Sequence, residues 1–153
     1  MKHRLYFLLV MLLAAAGIAH AADIPALWAE RVKSVVAVEF YVETETDRRP
    51  ALSYGTVIDG NGTIILPSAA VDPRTSPEQL KDFKVHRAGE AASVAGQYLC
   101  QDSLTGWHFV RVDAKLLPGL LPITVFAAKD GAASPVPALA EEVWGIGLRN
   151  KDE

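Results

Sequence analysis

The sequence predicts an all-β protein, an antiparallel barrel or sandwich, and three observations carry that prediction. Val35 to Val42 is a run of β-branched and aromatic residues with no turn residue inside it. Asp59-Gly60-Asn61-Gly62 separates two β-forming stretches, and its two glycines offer positive φ to a tight hairpin. Three further short runs, Phe83 to His86, Val94 to Leu99 and Trp107 to Val112, follow at the close spacing of an antiparallel domain.

Taken in chain order, the first element is a targeting segment. Met1-Lys2-His3-Arg4 is positively charged and runs into an apolar stretch from Leu5 to Ala19. That stretch is short against the roughly 20 residues a membrane-spanning helix needs, which argues against an uncleaved anchor. Ala19-His20-Ala21 supplies the small-x-small pattern of a cleavage site, so residues 1–21 read as a signal peptide and the mature chain as periplasmic or secreted, with no membrane span.

Cleavage would leave 132 of the 153 residues, one domain's worth. Lys and Arg would fall from 15 to 13 against 18 Asp and Glu, a charge of −5, which argues against a nucleic-acid partner. Cys100 is the only cysteine, so no internal disulfide can form and stability must come from packing.

A short helical lead-in from Pro25 to Lys33 precedes the first strand, and Glu43 to Pro50 reads as a solvated loop. Strands are expected from Ala51 to Ile58 and from Thr63 to Leu66, then turn chemistry at Asp72 to Pro77, then the three short runs already named. An alanine, proline and glycine-rich segment from Ala127 to Pro137 leads to a last expected strand, Glu142 to Leu148. A closing strand with no partner after it leaves an open edge, which predicts that the chain is part of something longer.

Ser53-Tyr54-Gly55-Thr56-Val57-Ile58-Asp59, followed by Gly62-Thr63-Ile64-Ile65-Leu66-Pro67-Ser68-Ala69-Ala70-Val71-Asp72, resembles the first barrel of bacterial HtrA (DegP-type) trypsin-like serine proteases. The family there has a small-x-Gly strand, a turn, and a strand ending in Thr-Asn-x-His-Val-Val. The likeness continues at Ala95 to Tyr98, at Asp102 to Val112, where the family writes Asp-x-x-x-Asp-Leu-Ala-Val-Leu-Lys-Val, and at Leu121 to Ile123. Glu142 to Gly147 is similar to the opening strand of the family's second barrel. The resemblance implies a six-stranded antiparallel barrel of the chymotrypsin type over residues 22–126, the N-terminal half of a two-barrel unit. Residues 127–153 would then be a linker and the first strand of the second half.

Such a protease needs a hydroxyl nucleophile, an imidazole to take its proton and a buried carboxylate to orient the imidazole. Aligned on Gly62 and Asp72, the histidine position holds Ala69, or Ala70 if the register slips by one, and the carboxylate position holds Gly106. The serine and the oxyanion-hole amides belong to the second barrel. The site residues implied by the resemblance are therefore degenerate, and no cofactor or metal site is expected. His108, two residues past Gly106 and so expected on the same strand face, is the one imidazole near the degenerate positions. It reads first as an interior side chain with its nitrogens satisfied by backbone or water, and second as a substitute base.

Other chemistry-bearing residues read as structural. His86 is expected at the partly solvated surface without metal partners, Cys100 as a buried small hydrophobe at a strand end, and Asp102 as a turn former. Trp28, Trp107 and Trp144 read either as a binding face or, more commonly for aromatics in a barrel this small, as core; the sequence does not decide their burial.

Three functions follow. The first is an exported protease homologue without activity, serving as a binding or scaffolding module for a protein or peptide partner. A diverged but active endopeptidase, completed by a missing C-terminal half, is the second. The third is an unrelated small exported barrel that binds a ligand or partner protein.

Overall fold

A computed structural model describes residues 24–126, Val143 and residues 145–148. The expected signal peptide, the whole alanine-rich segment from Ala127 to Pro137 and Trp144 lie outside the described residues.

The chain opens with α1 (Ile24–Arg31), which buries none of its residues, and passes through a single 3₁₀ turn into β1. Seven strands follow: β1 (Val35–Glu43), β2 (Arg48–Val57), β3 (Thr63–Leu66), β4 (Leu80–Arg87), β5 (Ser93–Ala95), β6 (Gln97–Gln101) and β7 (His108–Arg111). All pairings are antiparallel, in one sheet of order β5-β4-β1-β2-β3-β7-β6.

The first and last strands of that order are consecutive in the chain, separated only by Gly96. The sheet therefore curls until its two ends are carried by one segment. That segment is the single strand expected from Val94 to Leu99, divided because it pairs with β4 before Gly96 and with β7 after it. Gly96 sits where the ends converge: a Cβ there would lie 3.0 Å from Val110 and 3.3 Å from Phe83 and Val85, and its amide donates to the Phe83 carbonyl at 2.8 Å.

The inner face follows the two-residue period of a strand. Val36, Val38 and Phe40 of β1, Val57 of β2, Ile64 and Leu66 of β3, Phe83 and Val85 of β4, and Val110 of β7 are each at most 5% exposed. Around β4 the alternation would fail without a bulge: Glu39 pairs with Lys84 but Tyr41 with Lys81, so Asp82 and Phe83 together oppose Phe40. Asp82 takes the strained φ of +52° at this point, and its carboxylate is held by the Arg48 guanidinium, which also lies 4.3 Å over the Tyr41 ring.

One expectation needs correction. The loop predicted for Glu43 to Pro50 shrinks to four residues, because β2 begins at Arg48 and Pro50 pairs with Tyr41. Proline is tolerated there since β2 meets β3 only at Thr56 and Val57, so its missing N–H is required by no ladder on that flank. Of the strand predicted for Glu142 to Leu148, Val143 and residues 145–148 are described and lie in no regular element, while Glu142 and Trp144 lie outside the described residues. Val143 is 66% exposed.

Candidate functional site

β3 and the approach to β7 end at the same side of the sheet, and two turns meet there. After Leu66 the chain makes a 3₁₀ turn over Ser68–Ala70, closed by the Ala70 amide donating to the Pro67 carbonyl at 2.9 Å. Ala69 is exposed on it and Ala70 packs against the core. The second turn runs from Asp102 to Trp107. Its backbone bonds are Asp102 N–H to the Trp107 carbonyl and Gly106 N–H to the Asp102 carbonyl, both 2.8 Å.

Asp102 Oδ2 also accepts from the Thr105 amide at 2.9 Å and from the Thr105 hydroxyl. These bonds, the hydroxyl's foremost, hold its carboxyl below the usual aspartate range. Asp102 is thus an ionised turn former, in line with the sequence reading. Gly106 adopts φ +72°, and a Cβ on it would come 3.2 Å from the Ser68 Cβ. The structure therefore brings together the two turns that carry Ala69 and Gly106, one offering a methyl group and the other a hydrogen atom. A carboxylate at 106 would need both a strained backbone and displacement of Ser68.

His108 lies inside this end and is only 3% exposed. The expectation that it shares a strand face with Gly106 fails, because Gly106 is in the turn and β7 starts at His108 itself. The register pairs His108 with Leu66 on one side and Gln101 on the other. Its Nδ1 is 3.1 Å from the Tyr98 hydroxyl, a partner that sequence reasoning missed because the two residues meet only through the β6–β7 register. The imidazole ends a row of rings: Phe40 and Phe83 stack at 5.1 Å between centroids, Phe83 and Tyr98 at 5.5 Å, and Tyr98 and His108 lie 6.0 Å apart and tilted.

Burial pushes the His108 pKa down and, foremost among its causes, the Tyr98 pKa up, so both groups are neutral near pH 7 in the folded protein. Whichever group donates, Nδ1 is committed to Tyr98. Among the described residues no serine or cysteine is hydrogen-bonded to His108.

This burial has a measurable consequence. The unfolded chain takes up a proton on His108 near pH 6.5, whereas the folded chain resists until lower pH, so the unfolded state binds more protons in between. The stability from a neutral His108 is complete above pH about 6.5 and is lost as pH falls through the depressed folded value. Asp59 and Asp102, also depressed, act below pH about 4. Denaturant midpoints between pH 7.5 and 5 are expected to fall in the native chain and to fall less in His108→Gln; equal slopes would show that His108 is not the titrating group.

The remaining candidates scatter. Cys100 is exposed rather than buried. Between Tyr98 and Cys100 the register slips, so that Cys100 pairs with the outward Phe109, and this bulge turns its side chain away from the core. Trp28 and Trp107, which the sequence leaves open between core and binding face, are 55% and 45% exposed, because one lies on a helix that buries nothing and the other precedes β7. His86, on β4, is largely covered, with Nε2 3.3 Å from Glu39 Oε1 but not hydrogen-bonded to it. Among the described residues no group of three or more His, Cys, Asp or Glu side chains is placed to hold a metal ion, and no helix is long and apolar enough to cross a membrane.

Two hollows matter. One, of about 620 Å³, is bordered by Asn61, Gly96, Arg111 and Lys115 at the opposite end of β3 from the two turns, so it belongs to no part of this site. The other, of about 160 Å³, adjoins the site on the outer face and is lined by Tyr54, Thr56, Ile65, Leu66, Pro67 and Trp107. Its walls are apolar, and no charged side chain contributes to them.

No known protein family matches this chain, and no curated protein matches it either. The class that can be stated is a mostly β protein: among the described residues it is built on one curled antiparallel sheet of seven strands with one short helix.

Proposed function

We propose that the chain is an exported, non-catalytic relative of the HtrA-type trypsin-like proteases, in which the barrel serves as a protein-binding or scaffolding module. The observation that carries this reading is the meeting of the Ser68–Ala70 and Asp102–Trp107 turns with Ala69 and Gly106 on them. These are the two positions at which the resemblance calls for a proton carrier and its aligner. The curled sheet with its ends joined through Gly96 supports the six-stranded barrel it implies, since β5 and β6 count as one strand there.

A methyl group accepts no proton and a hydrogen atom orients nothing. In subtilisin, losing the nucleophile or the base costs about 2 × 10⁶ in turnover. His108 does not replace the base, since it faces inward and is committed to Tyr98.

The purified product of the complete gene is expected to leave casein and peptide esters uncleaved and to resist labelling by a fluorophosphonate. Turnover by that product, abolished by mutating a single serine in it, would overturn the proposal in favour of the diverged active endopeptidase.

A further inference from the structure

The outer face beside the two turns carries an apolar knob and an apolar hole next to each other. Leu104, at the tip of the Asp102–Trp107 turn, is 93% exposed. The turn beneath it is tied by the two backbone bonds and the Asp102 carboxylate bonds described above, so the leucine is presented on a rigid support. Three residues on, Trp107 forms one wall of the 160 Å³ hollow, with Tyr54, Ile65 and Pro67 as its other apolar walls. An apolar cavity of about 150 Å³ holds a benzene molecule, so this one has room for a leucine side chain.

Single exposed leucines are ordinary, but this one belongs to a patch. Leu52 and Tyr54, successive outward residues of β2, are 55% and 51% exposed; Tyr54 lines the hollow, and Leu52 stands beyond it on the same face, at the rim beside Glu39. The three segments that build the face, residues 51–58, 60–71 and 103–110, contain no Asp, Glu, Lys or Arg in a chain that is 22% charged. Depletion of charge around aromatic residues is the composition of an interface core. Contiguous apolar surface of this kind marks an association site.

We infer that two copies of this chain associate through this face, the Leu104 of each entering the Tyr54–Trp107 hollow of the other. A two-fold interface must be complementary to itself, and a knob beside its own fitting hole meets that condition, since one rotation makes both contacts at once. Around the hollow itself no charged side chain is available to select an acidic or basic partner; the nearest, Glu39, lies at the rim, paired with Leu52. The area is sufficient. Leu52, Tyr54, Leu104 and Trp107 expose about 500 Å² per copy at roughly 150–250 Å² for the larger side chains. Two copies thus bring about 1,000 Å² from four residues of each, and the flanking Ser68 and Ala69 carry the total toward the roughly 1,200–2,000 Å² of a stable interface. Only the face itself is needed for this association, which stands apart from the protease-like reading.

The test is sedimentation of protein purified after expression of the whole chain, at about 1–100 μM, the range that separates weak from stable association. A reversible dimer is expected. Leu104→Asp, at a position too exposed to matter for folding, is expected to weaken it by about a hundredfold, because each substitution is met twice across the axis. Tyr54→Lys, on the hole, should do the same. Mixed in equal amounts, the two variants are expected to form a heterodimer tighter than either homodimer, since one copy keeps the hole and the other keeps the knob. A chain that stays monomeric throughout, a dimer that neither variant weakens, or variants that fail to pair when mixed would overturn the inference. Unchanged melting of Leu104→Asp separates lost association from lost folding.

Discussion

Alanine in place of Gly62 is expected to lower the stability of this protein by about 3 kcal/mol or more, as the sum of backbone strain and overpacking. Gly62 closes the β2–β3 hairpin at φ +80°, a conformation that residues with a Cβ adopt only at a cost. A Cβ there would also lie 2.3 Å from the Val112 carbonyl oxygen, and a backbone atom cannot swing aside as a side chain can. The same residue accepts a hydrogen bond from the Val112 amide at 3.0 Å, so any retreat of the turn breaks a tie between the hairpin and the end of β7. Gly60, two residues earlier, is the control. It has no positive φ, and a methyl group placed on it would meet nothing within 4 Å, so Gly60→Ala is expected to change stability by less than about 0.5 kcal/mol. Urea titration of both variants decides the matter, and two equal effects would sink the argument.

Phe40→Ala is expected to cost about 3–5 kcal/mol, the range for removing a buried aromatic ring. Phe40 is 1% exposed at the centre of β1, the strand held between β2 and β4, and it stacks on Phe83 with the rings 12° from parallel. The cavity would open beneath the Asp82–Phe83 bulge, where the sheet is already strained, so little collapse can offset it. Against a total of about 5–15 kcal/mol for a natural domain, this leaves a marginal protein. Because the ring row continues through Tyr98 to His108, near-ultraviolet circular dichroism should change with the denaturation midpoint. A loss below about 1 kcal/mol would mean that Phe40 does not hold the row together.

The site is partly legible in the sequence. Asp102 can be read there as a turn former, since Asp-x-x-Thr offers a carboxylate to local amides, and the structure shows that turn. His108 reads as interior and is interior, but its partner Tyr98 is not legible, because their contact depends on a register that one bulge at Leu99 decides. The same bulge reverses the expectation for Cys100, as alternation counted along an unbroken strand has the wrong parity beyond it. For Trp107 the difficulty is of another kind: a large apolar ring is usually covered, and here it is left at the rim of the outer face.

By itself the sequence determined where most of the strands lie, that they pair antiparallel, and where the β2–β3 turn falls, because residue type and two-residue alternation act over a few neighbours. Only the tertiary structure decided that β5 and β6 carry the two ends of one sheet through Gly96, that the Ala69 and Gly106 turns touch, and that Leu104 stands beside a hollow it could fill in a second copy. Burial and proximity of this kind arise from pairings between distant segments. A single inserted residue shifts such pairings by a whole face without changing the local pattern that announces a strand.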